Sequence, residues 1–291
     1  FKKGDDSSML SRFSLPFLHK GRKLPSIAKK TFLNSYPERI GGKNKKVAIF
    51  IGCLANYSYT GIGDALIKIL KELDVDIFIP KKQLCCGAPA YFTGDFDTVD
   101  YLTSRNLDYF ESFIEDVDAI IIPEATCSAM IKRDWAHFYH DNPRQKERAQ
   151  NIAKKVYLAT EWLYKEGGLH TLLRNKNMHL KESVTYHDPC HARKVQGVFK
   201  EPRALLGCGF ELREMEDPNR CCGFGGVTLQ TEKFQLAKLA GVPKAKMIEE
   251  SGADIVAAEC SACRIQLSEA LNASGSNVKF QHPLELIAKL L

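Results

Sequence analysis

The sequence holds 291 residues, with 41 Lys and Arg against 35 Asp and Glu, and it contains ten cysteines. That length allows two domains of ordinary size with buried cores, so disulfide staples are not required. No window approaches the roughly 20 apolar residues of a membrane span, and the amino-terminal region has basic residues without the apolar run of a signal peptide. The chain is therefore expected in the cytoplasm, where clustered thiols more often hold metal or do redox chemistry than pair as disulfides.

Charge is uneven along the chain. Residues 1–46 carry 12 basic and three acidic side chains, and read as a basic linker or tail. The chain begins at Phe1 rather than Met, which makes this segment the expected tail end of something removed. No helix-turn-helix pattern or aromatic RNA platform accompanies the basic residues, so nucleic acid is not an expected partner. From Lys46 strand-like and helix-like segments alternate. Val47–Ile51 is an apolar run of the kind that forms a buried parallel strand, and it ends at Gly52-Cys53. A helical spacing of apolar residues over 62–73, a short run at 75–79, a loop with Cys85-Cys86-Gly87, a helix over about 96–115 and a strand at 119–122 complete a first lobe, 47–143. Residues 144–175 look helical, within a connection spanning 144–183. The second lobe, 184–291, then repeats the order: strand 184–187, helix 201–206, strand 210–214, helix 231–250, strand 254–258, helix 262–271, strand 278–281 and helix 283–291. His282-Pro283 marks a strand-to-helix turn with Pro at the first helical position. The expected fold class is α/β, two pseudo-repeated Rossmann-like lobes with mainly parallel sheets. Ligands in such sheets bind beyond the strand carboxyl ends, where the cysteines fall.

Nine of the ten cysteines obey one repeated scheme: Cys53, Cys85-Cys86-Gly87 and Cys127, then Cys190, Cys221-Cys222-Gly223 and Cys260-Ser261-Ala262-Cys263. Val47-Ala-Ile-Phe-Ile-Gly-Cys53 mirrors Val184-Thr-Tyr-His-Asp-Pro-Cys190, and Asp118-Ala-Ile-Ile-Ile-Pro mirrors Ala253-Asp-Ile-Val-Ala-Ala. Matching Cys127 to Cys260 places Met130 opposite Cys263.

Five thiols in the second set exceed the four that close a structural zinc site, whereas adjacent cysteines on one loop can reach different irons of an iron–sulfur cluster. Gly87 and Gly223, Gly225 and Gly226 allow tight turns and close backbone approach, and a helix opening at Cys260 would direct its amides at an anionic cluster. The second set, Cys190, Cys221, Cys222, Cys260 and Cys263, is thus the principal candidate for a cluster. The first, Cys53, Cys85, Cys86 and Cys127, leaves three readings open: a second cluster, zinc, or a redox-active or empty site. Cys208, flanked by apolar residues, reads as a small buried hydrophobe. His187, Asp188 and His191 surround Cys190. They could tune a cluster, relay protons or supply a non-thiolate ligand, or they could cap and orient the loop.

Phe50-Ile-Gly-Cys-Leu-Ala-Asn-Tyr, Thr126-Cys-Ser-Ala-Met, His187-Asp-Pro-Cys-His and Cys221-Cys-Gly-Phe-Gly-Gly resemble the cysteine-rich CCG domains of the heterodisulfide reductase B-subunit type. Among these they are most similar to the iron–sulfur subunits of glycolate or D-lactate oxidases and of anaerobic glycerol-3-phosphate dehydrogenase. Leu24-Pro-Ser-Ile-Ala-Lys-Lys-Thr-Phe resembles the linker before the CCG region of those subunits. The resemblance implies an electron-transfer subunit of a flavin-dependent dehydrogenase acting on a 2-hydroxy acid or glycerol-3-phosphate. It implies [4Fe-4S] clusters in the chain, one at the second site and another possible at the first. It implies FAD on a partner flavoprotein, electrons passed towards quinone, and peripheral association with the inner face of the membrane. Those subunits also carry a ferredoxin-like domain with Cys-x-x-Cys-x-x-Cys-x-x-x-Cys-Pro runs. This sequence has none, so the resemblance implies that a removed segment or a partner supplies those clusters. Two other readings stand beside it: a heterodisulfide reductase-like thiol–disulfide oxidoreductase with a non-cubane [4Fe-4S] cluster on the five-cysteine set, and a zinc-stabilised binding module.

Overall fold

A computed structural model describes residues 23–291 and the short segments 2–3 and 8–10, with side chains from Pro25 onward apart from those of residues 227 and 228. Three short strands, β1 (Lys2–Lys3), β2 (Ser8–Leu10) and β3 (Lys23–Pro25), pair antiparallel in that order. The remaining residues before Lys23, and with them much of the basic arm, lie outside the described residues. From Phe32 onward the expected linker is already part of the fold. Phe32 is fully buried against Gly63, where a Cβ would collide with its ring, and Lys81 Nζ donates to the carbonyls of Leu33 and Tyr36.

The first lobe is a five-stranded sheet built from β4 (Arg39–Ile40), β5 (Lys46–Ile49), β6 (Asp76–Phe78), β7 (Ala119–Ile122) and β8 (Val156–Leu158), in the order β4-β6-β5-β7-β8. Only β4 runs antiparallel. The second lobe holds β9 (Ser183–Tyr186), β10 (Glu211–Leu212), β11 (Ile255–Ala257) and β12 (Lys279–Gln281), all parallel, in the order β10-β9-β11-β12. With β4 set aside, both lobes therefore share one winding, in which the second strand flanks the first on one side and the third and fourth follow on the other. That confirms two pseudo-repeated α/β lobes with mainly parallel sheets. The central strands are short and buried on both faces, as expected of parallel strands covered by helices.

The stretch 144–175, expected to be helical, instead contains β8 between the helices Pro143–Ala153 and Ala159–Lys165. Val156-Tyr-Leu is a short run inside a charged, helix-compatible sequence, and pairing with β7 overrides the local preference. Nor are the cores separate. One apolar cluster runs from Val47, Leu66 and Ile121 of the first lobe to Tyr186, Leu206 and Leu284 of the second.

Candidate functional site

Each lobe sends its cysteines to the carboxyl ends of its strands. Cys53 opens the helix Cys53–Tyr57 just beyond β5, behind Gly52 at φ +75°, where a Cβ would press to 3.1 Å from Cys127 Sγ. Cys85 and Cys86 precede Gly87, whose left-handed φ of +88° starts the helix Ala88–Thr93. Cys127 is the third residue of the helix Ala125–Ala129 after β7, and its sulfur lies 3.3 Å from that of Cys86. The Trp135 indole donates to the Cys86 carbonyl at 2.9 Å. Hydrogen bonding by Cys53 and Cys86, helped by the backbone N–H groups of Gly87 and Cys86, holds the Cys85 thiol down at about 3, whereas its contact with Cys85 and its own burial push Cys53 up. The four thiols of the first set thus meet at one place.

The second set is assembled from the same parts. Cys190 opens the helix Cys190–Gln196 beyond β9. Cys221 and Cys222 precede Gly223 at φ +87°, and the Gly223 N–H donates to Cys221 Sγ at 3.4 Å. Cys260 caps the helix Ser261–Ser274, whose third residue is Cys263, so Cys260-x-x-Cys263 does open a helix. Cys222 and Cys263 sulfurs are 3.6 Å apart. Contacts with the Cys221 and Cys263 thiols, and then the proximity of His187, hold Cys222 well below the ordinary thiol range. All ten cysteines are free thiols, and Cys221 is the exposed one. Cys208 stands apart from both sets, packed on the apolar core with its thiol donating to the Ala204 carbonyl at 3.3 Å.

Strand register corrects the match between the two sets. β5 pairs Val47 with Ala119, and β9 pairs Val184 with Ile255. The corresponding helices start six residues later, at Ala125 and Ser261. Asp118 accepts from the Lys46 N–H at 2.8 Å, and Asp254 accepts from the Ser183 N–H at 2.8 Å, one bond made twice. By this register Cys127 corresponds to Cys263, not Cys260, and the residue standing in place of Cys260 is Glu124, not Met130. Aligning the cysteines by identity slides the repeat by three residues; the strands fix it.

Glu124 instead serves the other lobe. Its carboxylate accepts from the Ser261 N–H at 2.8 Å and from the Ser261 hydroxyl, and burial pushes its carboxyl up to about 7. Reciprocally, Glu259 of the second lobe accepts from the Thr160 N–H at 3.0 Å and from the Thr160 hydroxyl, and its backbone carbonyl receives the Ala125 N–H at 3.0 Å. Burial raises Glu259 to about 8. These crossed contacts place the two thiol sets side by side. Thr126, beside Cys127 of the first set, has its hydroxyl 3.7 Å from Cys260 Sγ and 3.3 Å from His191 Nδ1. Neither Glu124 nor Thr126 stood out in the sequence, although Thr126 opens the Thr126-Cys-Ser-Ala-Met motif.

The three polar residues around Cys190 separate. His191 lies between Thr126 and Cys190, with Nδ1 3.8 Å from the Cys190 sulfur, and its ring lies 5.6 Å from that of Phe92. Asp188 is held by arginines, its carboxylate bound by Arg203 at 2.6 Å and by Arg193, and its N–H donates to Pro218 O at 3.0 Å. It orients the loop. His187 is buried with a ring nitrogen near Cys222 and Cys263. A residue not foreseen, Lys244, is buried with Nζ donating to the carbonyls of Asp217 at 2.7 Å and Pro218 at 3.2 Å, on the loop that leads into Cys221.

The donor set fits an iron–sulfur centre. Thiols converge from helix starts and glycine turns, with helix amides aimed at negative charge. No described helix is long and apolar enough to cross a membrane.

Two α/β lobes of one winding, each gathering thiols at its strand ends, define a duplicated cysteine-rich module. The chain belongs to the cysteine-rich domain (CCG) family, whose model matches residues 47–132 and again 184–268. It is 29% identical over 245 residues to lactate utilization protein A of Bacillus subtilis, covering 83% of this chain and 98% of that protein. It is 32% identical over 270 residues to a subunit of the fumarate reductase (CoM/CoB) of Methanothermobacter marburgensis, covering 92% of this chain and 50% of that polypeptide. It is 33% identical over 252 residues to an uncharacterised iron–sulfur protein of Methanocaldococcus jannaschii, covering 84% and 47%. The chain therefore spans about half the length of these two methanogen relatives and nearly all of the Bacillus protein. This company is that of iron–sulfur proteins of oxidoreductase type.

Proposed function

We propose that the chain is an iron–sulfur electron-transfer subunit of a flavin-dependent dehydrogenase. Its substrate class is a small 2-hydroxy acid such as lactate or glycolate, or glycerol-3-phosphate, and its electrons go towards quinone. The observation that carries this reading is the convergence of five thiols at the second site, directly beside four at the first. The near full-length likeness to a lactate utilization protein favours the hydroxy acid. Bound clusters would supply one-electron carriers. The chain's own residues hold them: Cys190, Cys221, Cys222, Cys260 and Cys263 at the second site, and Cys53, Cys85, Cys86 and Cys127 at the first. FAD sits on the partner flavoprotein, and the ferredoxin-type clusters on a further domain or subunit. Anaerobic reconstitution with iron and sulfide tests the reading. Acid-labile sulfide with a paramagnetic cluster signal on reduction is expected; protein that takes up zinc but no sulfide would sink it in favour of a zinc-stabilised module.

A second reading is favoured by one feature, the exposure of Cys221 within an otherwise mostly buried five-thiol set. A heterodisulfide-type reductase would accept a substrate disulfide there, taking two electrons and two protons to give two thiols. Reduction of a small disulfide by a low-potential donor, abolished in Cys221→Ser, distinguishes it from simple relay.

A further inference from the structure

His187 is 1% exposed at the end of β9, and its backbone N–H donates to the Ala257 carbonyl at 2.9 Å. Neither ring nitrogen makes a hydrogen bond of sound geometry. Leaving a buried polar group unpaired costs about 1–3 kcal/mol. Among the described residues the other fully buried imidazole, His282, uses both nitrogens: Nε2 donates to the Pro123 carbonyl at 3.0 Å, and Nδ1 accepts from the Leu284 N–H at 3.2 Å. What lies near His187 instead is sulfur. A ring nitrogen and the sulfurs of Cys222 and Cys263 all fall within 4.8 Å of one another.

The repeat provides an internal control. By the register set out above, the residue corresponding to His187 is Phe50, buried against Phe110 with ring centroids 5.8 Å apart. The fold thus accepts a plain hydrocarbon at this position, and shape does not require an imidazole. The lobe with the phenyl ring also has Glu124 for its fifth thiol. The lobe with the imidazole has all five.

We propose that His187 is a direct nitrogen ligand of the second centre, beside Cys222 and Cys263. The inference rests on the reading of this set as an iron–sulfur site. A neutral imidazole would add a donor to the centre without adding negative charge.

Pulsed EPR on the anaerobically reconstituted, reduced protein tests this, with histidine supplied as the ¹⁴N or ¹⁵N form. A strongly coupled nitrogen that changes to the ¹⁵N pattern with labelled histidine is expected. It should survive His191→Gln and vanish in His187→Phe, which copies the first lobe's own residue. A cluster without a strongly coupled histidine nitrogen, or a coupling that persists in His187→Phe, overturns the proposal. The labelling works on the unaltered sequence, so a misfolded variant does not blunt the test, and His187→Asn offers a smaller substitution. If no acid-labile sulfide is incorporated, the cluster reading fails separately. The ligand is then read with Co²⁺ alone: His187→Phe should weaken binding at least tenfold, and unchanged affinity overturns the assignment.

Discussion

Glu124 and Cys260 occupy the same place in the two lobes, each as the residue that precedes the helix following the third strand of the repeat. In the second lobe that place presents a thiol to the cysteine set; in the first it presents a carboxylate that reaches across to cap Ser261. Removing the carboxylate strands a buried N–H and a buried hydroxyl at the lobe interface. Glu124→Ala should therefore cost on the order of 2–4 kcal/mol of stability, while Glu124→Gln, which keeps one acceptor, should cost less than half as much. Urea denaturation of the anaerobic metal-free protein measures both.

Gly223 combines a left-handed backbone with a wall. Its φ is +87°, and a Cβ would lie 2.7 Å from Ala240 Cβ and 3.1 Å from the Ala240 carbonyl carbon. A side chain there must displace the loop that carries Cys221 and Cys222, so Gly223→Ala should remove the iron of the second site and leave that of the first. Gly94→Ala is the comparison, since Gly94 shares the left-handed φ, at +81°, but has open space around it. It should cost about 1 kcal/mol and leave both sites loaded.

Lys244 brings positive charge close behind the second site. Desolvation lowers its pKa to about 8, so it remains mostly protonated at neutral pH. Lys244→Met should lower the second site's reduction potential, because an anionic centre loses a nearby cation. It should also destabilise the protein by about 1–3 kcal/mol as the Asp217 and Pro218 carbonyls lose their donor. A spectroscopically monitored redox titration reads the first effect and thermal unfolding the second.

His282 sets an acid limit. Burial lowers its pKa to about 3, and the two hydrogen bonds it makes fix the neutral form with the proton on Nε2. Between about pH 3 and 6.5 the unfolded chain binds a proton here that the folded one refuses, so this contribution to stability is complete above pH 6.5 and falls as the pH drops towards 3. Each pH unit in that window removes up to about 1.4 kcal/mol. His282→Asn should be less stable at pH 7 but show a flatter acid dependence over the same range, as read from urea midpoints.

The alternation of strands and helices was legible in the sequence because parallel strands buried on both faces must be short apolar runs, as Val47–Ile51 and Ala119–Ile122 are. The cysteine sets were legible for a related reason: strand ends deliver loops, and the thiols recur beside the same apolar runs. By contrast β8 was hidden, since Val156-Tyr-Leu is too brief to outweigh its helical surroundings and gains its identity from the neighbour β7.

The sequence by itself determined that the protein is a duplicated α/β cysteine-rich chain with one set of five thiols and one of four, since those features are local and periodic. Tertiary structure decided how the sets correspond and meet. The place of Glu124 opposite Cys260, the bridge of Thr126 to the second set and the contrast between unpaired His187 and its counterpart Phe50 all depend on strand register and lobe packing. Both arise from hydrogen bonds and buried surfaces between residues far apart in the chain, which no local pattern records.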